Sequence, residues 1–300
     1  MASAQPLPEG WWQQDSPESV LAKAESITRD LSYFRGSKAY PMGDKAVSLE
    51  FFQRKTANGK VETKLANTKL MYGHGITSAD YDLESGHYFY ESGQLIKSEY
   101  EQTDEFQQRI ASKFDHPYEY QMRKAERLNT NDCIVIARIT TAPVMDALIN
   151  EEYYDKDRFP SYMRTPMYKK MLVDHYPSEQ DYYIRKSDGI IMGFLQRNKA
   201  GVIGSDYALW DVVQINVPIP DEEFTIPKAP VRVAHSLNEW NDMDWELVKS
   251  AAAEVRSKYA REIQSRNRII LAVMAVPSIL LLSILWYRFR RKTPNPVKDR

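Results

Sequence analysis

Val47-Ser48-Leu49-Glu50-Phe51 alternates apolar with polar residues, Asn58-Gly59 follows, and a second run extends from Val61 to Leu70. A period of two buries one face of a strand, and Asn-Gly suits two-residue hairpin turns because both central positions need a positive φ. The stretch predicts an antiparallel hairpin and opens a β region covering residues 46–141. Short strands are expected within it at 88–90, 94–100, 118–124 and 133–139, and beyond it at 181–185, 190–198 and 206–217. Gly- and Asn-rich turns between such short strands fit an antiparallel meander. Ahead of the β region, Ser16-Pro17-Glu18-Ser19 opens a helix, with Ser16 as cap, Pro17 in the first turn, and Val20, Leu21, Ala24, Ile27 and Leu31 at helical spacing. Residues 5–17 read as irregular, with Trp11-Trp12 folding back onto the domain. A helical interruption is expected over 142–178, where Thr165-Pro166 starts a short helix carrying Met167, Met171 and Leu172. The fold class is α+β.

The chain has 300 residues, of which 43% are hydrophobic and 27% charged, so it is neither disordered throughout nor a multi-span membrane protein. A lone cysteine, Cys133, rules out an intrachain disulfide framework and a Cys-based zinc site. The formal net charge of −1 conceals an asymmetry: residues 256–300 carry +9 and the rest −10. An acidic body argues against nucleic acid as its partner.

The basic tail encloses an apolar run. Ile269 to Tyr287 is 19 residues without a charge, about 28 Å as a helix and close to the hydrocarbon thickness of a bilayer. Pro277 lies mid-run, where membrane helices tolerate it; Trp286 and Tyr287 form an aromatic interface, and Arg288, Arg290, Arg291 and Lys292 follow at once. The run is expected to be a single transmembrane helix in the lipid bilayer of the inner membrane. Its basic end, residues 288–300, would stay in the cytoplasm and the acidic domain outside it. Ala2-Ser3-Ala4 has the form of a signal-peptidase site, which suggests a signal peptide trimmed before residue 1. Residues 229–268 read as an extended linker followed by a charged helix from about 242, with Trp245, Val248, Ala252, Val255 and Tyr259 as a narrow apolar stripe that could pair with a second copy.

Two further motifs carry a resemblance. Asp181-Tyr182-Tyr183-Ile184-Arg185-Lys186-Ser187-Asp188-Gly189-Ile190 is an aromatic-Ile-basic strand and turn, and Pro218-Ile219-Pro220-Asp221-Glu222-Glu223-Phe224 closes the β region. With the N-terminal helix and the long meander, residues 18–228 resemble the lipoprotein localisation factors and their relatives (LolA/LolB/RseB-type domains). The resemblance implies a half-open barrel over an apolar cavity, helices as its lid and an acyl chain as its ligand. The 142–178 insertion and the C-terminal anchor depart from the family pattern.

Catalytic constellations are poor. His74, His87, His116, His175 and His235 are scattered without metal-ligand spacing, although His74 and His87 could meet across strands. Gly73-His74-Gly75 and Gly201-Val202-Ile203-Gly204 lack a phosphate-loop pattern and read as turns. Cys133 opens an apolar strand and reads as a buried structural thiol. Glu151-Glu152, Asp155/Asp157 and Glu222-Glu223 read as solvated charges. No enzyme and no cofactor are expected.

Tyr81, Tyr88, Tyr90, Tyr100, Tyr118 and Tyr120 crowd one stretch; this is ordinary sheet packing or a face that contacts sugar or lipid. Met145, Met163, Met167 and Met171 suit either core packing or a flexible lid. Leu49–Phe51, Cys133–Ile139 and Ile184–Phe194 carry apolar residues on both faces, more than a sheet with one wet face needs. A cavity lined by Leu49, Phe51, Val135, Ile184 and Phe194 under a Met167/Met171 lid is therefore expected. Three functions stand open: a membrane-tethered domain that binds lipoproteins or acyl chains, a structural or signalling subunit bound to another envelope protein, and a glycan-acting hydrolase.

Overall fold

A computed structural model describes residues 7–42, 45–71, 74–91, 93–159, 163–198 and 201–247, together with residues 249, 250, 253, 256, 257, 260, 261 and 264. The expected transmembrane run and its flank, from Ile269 and Pro277 through Trp286, Tyr287, Arg288, Arg290, Arg291 and Lys292, lie outside the described residues. No helix among the described residues is long and apolar enough to cross a membrane.

Helix α1 (Pro17–Arg29) starts as its sequence dictates. The Ser19 amide donates to Ser16 Oγ at 3.2 Å, and Val20, Leu21 and Ala24 are buried. The chain then enters β1 (Tyr33–Met42), β2 (Lys45–Lys55), β3 (Val61–Met71), β4 (His74–Leu83), β5 (Gly86–Glu91) and β6 (Gln94–Ser98). After α2 (Thr103–Ala111) come β7 (Tyr118–Leu128) and β8 (Asn131–Thr140). The helical interruption consists of α3 (Ala142–Tyr154) and α4 (Pro166–His175), and β9 (Glu179–Arg185), β10 (Ile191–Asn198), β11 (Gly201–Leu209) and β12 (Val212–Ile215) follow. A 3-10 turn at Asp221–Phe224, a last strand β13 (Val231–Ala234) and a helix over 237–247 complete the domain.

The strands form two sheets, an eight-stranded one in the order β12-β1-β2-β3-β4-β5-β6-β13 and a five-stranded one in the order β11-β10-β9-β8-β7. Neither closes on itself. β1 pairs antiparallel with β12 and β2, β2 with β3, β5 with β4 and β6, and β7 to β11 pair antiparallel in turn, whereas β13 lies parallel to β6 with Val231 opposite Leu95 and Ala234 opposite Ser98. The β2–β3 hairpin closes with a three-residue turn rather than the expected two. Thr56 N–H donates to Lys60 O at 2.8 Å, Gly59 N–H donates to Thr56 O at 2.9 Å, and Gly59 takes the positive φ of 79° that this geometry requires.

Three other expectations are corrected. Residues 201–204 belong to β11, because only Gly201 is needed at the bend and Val202 and Ile203 pair with β10. The expected strand over 206–217 is two strands in different sheets, separated at Trp210-Asp211. The charged helix begins at 237, where Ser236 Oγ accepts the Glu239 amide at 3.1 Å; its first turns pack on the sheet, with Leu247 buried beside Phe89, Ile96 and Ala234.

α1 covers one face of the five-stranded sheet. Val20, Leu21 and Ala24 meet Ile134, Ile136, Tyr182 and Ile184, and Trp11 folds back onto them with its indole N–H donating to Lys186 O at 3.0 Å. Cys133 is fully buried on the opposite face with Val135, Tyr183 and Met192, and burial pushes its thiol up to about 11. Trp210, at the break between β11 and β12, lies over Gly36 of β1 and stacks on Phe51 of β2 with ring centroids 5.7 Å apart.

Candidate functional site: a cleft on the eight-stranded sheet

Register determines which side chains can meet. Across β4, β5 and β6, Asp80 stands opposite Phe89 and Phe89 opposite Ile96, while Asp82 stands opposite His87 and His87 opposite Ser98. Directly opposed residues share a face, so both rows project to the same side of the sheet. There they form the floor of a cleft of about 300 Å³, which Thr63 and Leu65 of β3 extend. That volume lies at the lower limit of small-molecule sites, about 300–1,000 Å³.

The roof is the 237–247 helix, which contributes Leu237 and Trp240. The Trp240 indole meets Phe89 edge-on at 5.6 Å. Backbone bonds hold the roof to the sheet edge, with Leu95 N–H donating to Pro230 O at 3.1 Å and Glu99 N–H to Ala234 O at 2.8 Å. One wall is the segment Tyr100, Gln102 and Thr103, which runs into α2. Arg158 fixes that wall from behind, donating to Glu101 O at 3.0 Å and to Thr103 Oγ1 at 3.2 Å while its guanidinium lies 4.1 Å from the Phe106 ring.

Electrostatically the cleft is one-sided: its lining includes the carboxylates of Asp80 and Asp82 and neither lysine nor arginine. Burial raises the Asp82 carboxyl above the usual range and Glu105 and Glu62 add to the effect, against the His87 imidazole 3.4 Å away. Burial likewise raises the Tyr100 hydroxyl. Among the described residues no group of His, Cys, Asp and Glu is arranged to hold a metal ion.

The residues singled out from sequence are dispersed. Leu49 and Phe51 belong with Phe34, Leu31 and Trp210, and Phe51 pairs with Leu65, so these two share the sheet face of the cleft. Val135 is 1% exposed, on the face of the five-stranded sheet that buries Cys133, whereas Ile184, 0% exposed, lies with Phe194 under α1 on the other face. Met167 and Met171 are 80% and 42% exposed on α4 and are not among the side chains lining the cleft. Of the pairs read as solvated, Glu151 bridges Arg109 and Lys113, and Glu223 bridges Lys64. The Tyr-rich stretch was a partial pointer, since Tyr88 and Tyr100 line the cleft. Asp80, Asp82 and Trp240 had no local signature.

No protein-family model matches the chain, and no curated protein matches it. Solved structures similar to it include the Pseudomonas aeruginosa MucA/MucB complex, at 13% identity and a TM-score of 0.38 over 70% of this chain. The chain spans 61% of the length of that structure's chain. The Mycobacterium tuberculosis lipoprotein LppX is similar at 11% identity and a TM-score of 0.35, over 68% of this chain and 99% of its own. A LolA superfamily protein from Nitrosomonas europaea is similar at 10% identity and 0.26, over 71% and 98%. At these identities and scores the likenesses assign neither family nor ligand.

Proposed function

We propose that the domain is a binding module that holds an acylated or otherwise apolar ligand in the cleft under the 237–247 helix. In this reading the two sheets wrap as a half-open barrel, and residues 269–287 tether the domain to the outer face of an inner membrane, where it sorts or senses its ligand. The supporting observation is the cleft's apolar lining, with Leu65 and Phe89 below and Leu237 and Trp240 above. Each methylene buried there gains about 0.8 kcal/mol, so several in contact suffice for binding without a covalent step.

A glycan-acting hydrolase needs two carboxyl groups flanking the scissile bond. Asp80 and Asp82 do face one cleft, but they are alternate residues of a single strand and project side by side, which places both on the same side of any ligand. That geometry suits holding a ligand better than cleaving it.

The test uses the full chain in lipid nanodiscs with a fluorescent fatty-acyl probe. Uptake by the parent and at least about tenfold weaker uptake by Leu65→Asp, with unchanged circular dichroism, support the proposal. A parent that takes up no probe refutes it.

A further inference from the structure

We propose that Met167 and Met171 of α4 form a reversible oxidation site, where an electrophilic oxidant such as hypochlorous acid is consumed in preference to the Trp240 indole over the cleft. The site stands whatever the cleft binds. Three observations support it. First, the two thioethers are the accessible soft nucleophiles of the helical interruption. Met167 is 80% and Met171 42% exposed, one turn apart on α4, whereas Met145 and Met163 are half-buried and Met192 is 1% exposed in the sheet core. Met122, on the edge strand β7, is 43% exposed and joins the accessible set.

Second, the usual faster competitor is closed off. A thiolate outreacts a thioether, but the one cysteine, Cys133, is fully buried. Burial also pushes its thiol up to about 11, so at neutral pH it is neither ionised nor reachable.

Third, α4 is built to carry sulfoxides without unfolding, because its other face holds it. Leu172 and Val173 pack on the core of α2 and α3, Thr165 Oγ1 accepts the Tyr168 amide at 3.3 Å, and Lys169 Nζ donates to Asn150 Oδ1 at 2.7 Å. Sulfoxidation makes an apolar side chain polar, which disrupts a core but suits a side chain that already faces water. Neither methionine lines the cleft, so their oxidation leaves that surface unchanged, whereas oxidation of Trp240 would alter its roof.

In the forward step the sulfur lone pair takes chlorine from hypochlorous acid as hydroxide leaves. Water then forms the S–O bond as chloride and two protons depart, one proton neutralising the hydroxide; sulfur loses two electrons and chlorine gains them. In the reverse step a thiol-dependent sulfoxide reductase breaks the S–O bond and releases the oxygen as water, taking two electrons and two protons from two thiols that close to a disulfide.

The experiment titrates the full chain in dodecyl maltoside with hypochlorous acid in molar steps and maps each methionine and tryptophan by peptide mass spectrometry. Met167 should be oxidised first and at least about tenfold faster than Met192, with Met171 and Met122 following and Trp240 later. Met167→Leu/Met171→Leu should lower the dose that oxidises half of Trp240 by about two equivalents, one for each missing sulfur. The oxidised parent should melt within about 2 °C of the reduced protein, and sulfoxide reductases of both epimer specificities with dithiothreitol should restore both thioethers without denaturant. Should the leucine pair aggregate, Met167→Gln/Met171→Gln removes the same sulfurs and leaves polar side chains in their place. Met192 reacting as fast as Met167 overturns the site. An unchanged Trp240 dose in the variants overturns its preferential consumption of oxidant. A larger fall in melting temperature, or repair only after denaturation, overturns its reversibility.

Discussion

Gly36→Ala places a methyl group where the fold has no room for one. A Cβ on Gly36 would lie 2.5 Å from Cγ and Cδ2 of Trp210 and 2.8 Å from its Cε2. Carbon atoms settle at about 3.5–4.0 Å, so the indole must retreat by about 1 Å. It has little freedom to do so. Trp210 is 7% exposed, stacks on Phe51 at 5.7 Å, and is held on both sides by backbone bonds, Trp210 N–H to Met192 O at 3.1 Å and Asp211 N–H to Ser37 O at 2.9 Å. Overpacking of this kind costs about 1–3 kcal/mol. Restricting the unfolded chain by replacing glycine returns about 0.4–1 kcal/mol, leaving a net loss centred on about 1.3 kcal/mol. At about 2–4 °C per kcal/mol for a domain of this size, the thermal midpoint should fall by roughly 3–5 °C. Circular dichroism melts of parent, Gly36→Ala, Trp210→Leu and the double variant form a thermodynamic cycle. The alanine penalty should vanish in the Trp210→Leu background, because the obstructing ring is gone. An unchanged or raised midpoint for Gly36→Ala, or a penalty undiminished without the indole, would refute the claim that this contact joins the two sheets.

Burial opposes ionisation of Glu62, but the Glu84 amide and the Arg54 guanidinium outweigh it and hold the carboxyl below its usual range. Its stabilisation is therefore present above the unfolded carboxylate range and lost as pH falls through the folded value; urea midpoints of parent and Glu62→Gln should converge on acidification, and a constant gap would contradict this. The Cys133 thiol, fully buried and pushed up to about 11, should react with a disulfide reagent only as fast as the domain unfolds, and rapid labelling of native protein would show an open path to it. Met167→Glu/Met171→Glu should leave stability within about 0.5 kcal/mol and acyl-probe uptake intact, since both residues are exposed and away from the cleft; lost uptake would bring α4 into the site.

Local signals carried much of the architecture. Ser16-Pro17 and the helical spacing from Val20 to Ala24 located α1, and alternation located most strands, because capping and periodicity act within a few residues. What escaped depends on partners distant in sequence. β1 contains Gly36 and Pro41 and reads poorly as a strand, yet it lies between β2 and β12, where Gly36 accommodates Trp210. α2 is short and mostly polar; its Gln102-to-Glu105 capping box was the available cue, and Phe106 and Ile110 gain their burial from α3, a segment more than 30 residues later. β13 is four residues long, too short for any periodicity, and is a strand because β6 offers it a free edge.

The cleft escaped for the same reason, and its composition explains why a motif search could not find it. Asp80 and Asp82 alternate with the buried Tyr81, so in sequence they look like the solvent-facing half of an ordinary strand. Both are exposed, but Phe89 on the same face is covered, because Val231–Ala234 pairs with β6 and carries the following helix back over β5. Trp240 arrives about 150 residues after Phe89, on a helix whose charged residues suggest a rod standing clear of the domain. The cleft is thus made by the strand that recruits its roof. Dislodging β13 should therefore abolish acyl-probe uptake even though no residue lining the cleft is altered. An Ala234→Pro substitution removes a ladder donor on the side of β13 that faces β6, where Ala234 O accepts from the Glu99 amide, and tests this directly, with lost acyl-probe uptake and an otherwise intact five-stranded sheet as the expected outcome. Retained uptake would mean that the helix stays docked on the sheet without the strand that leads into it.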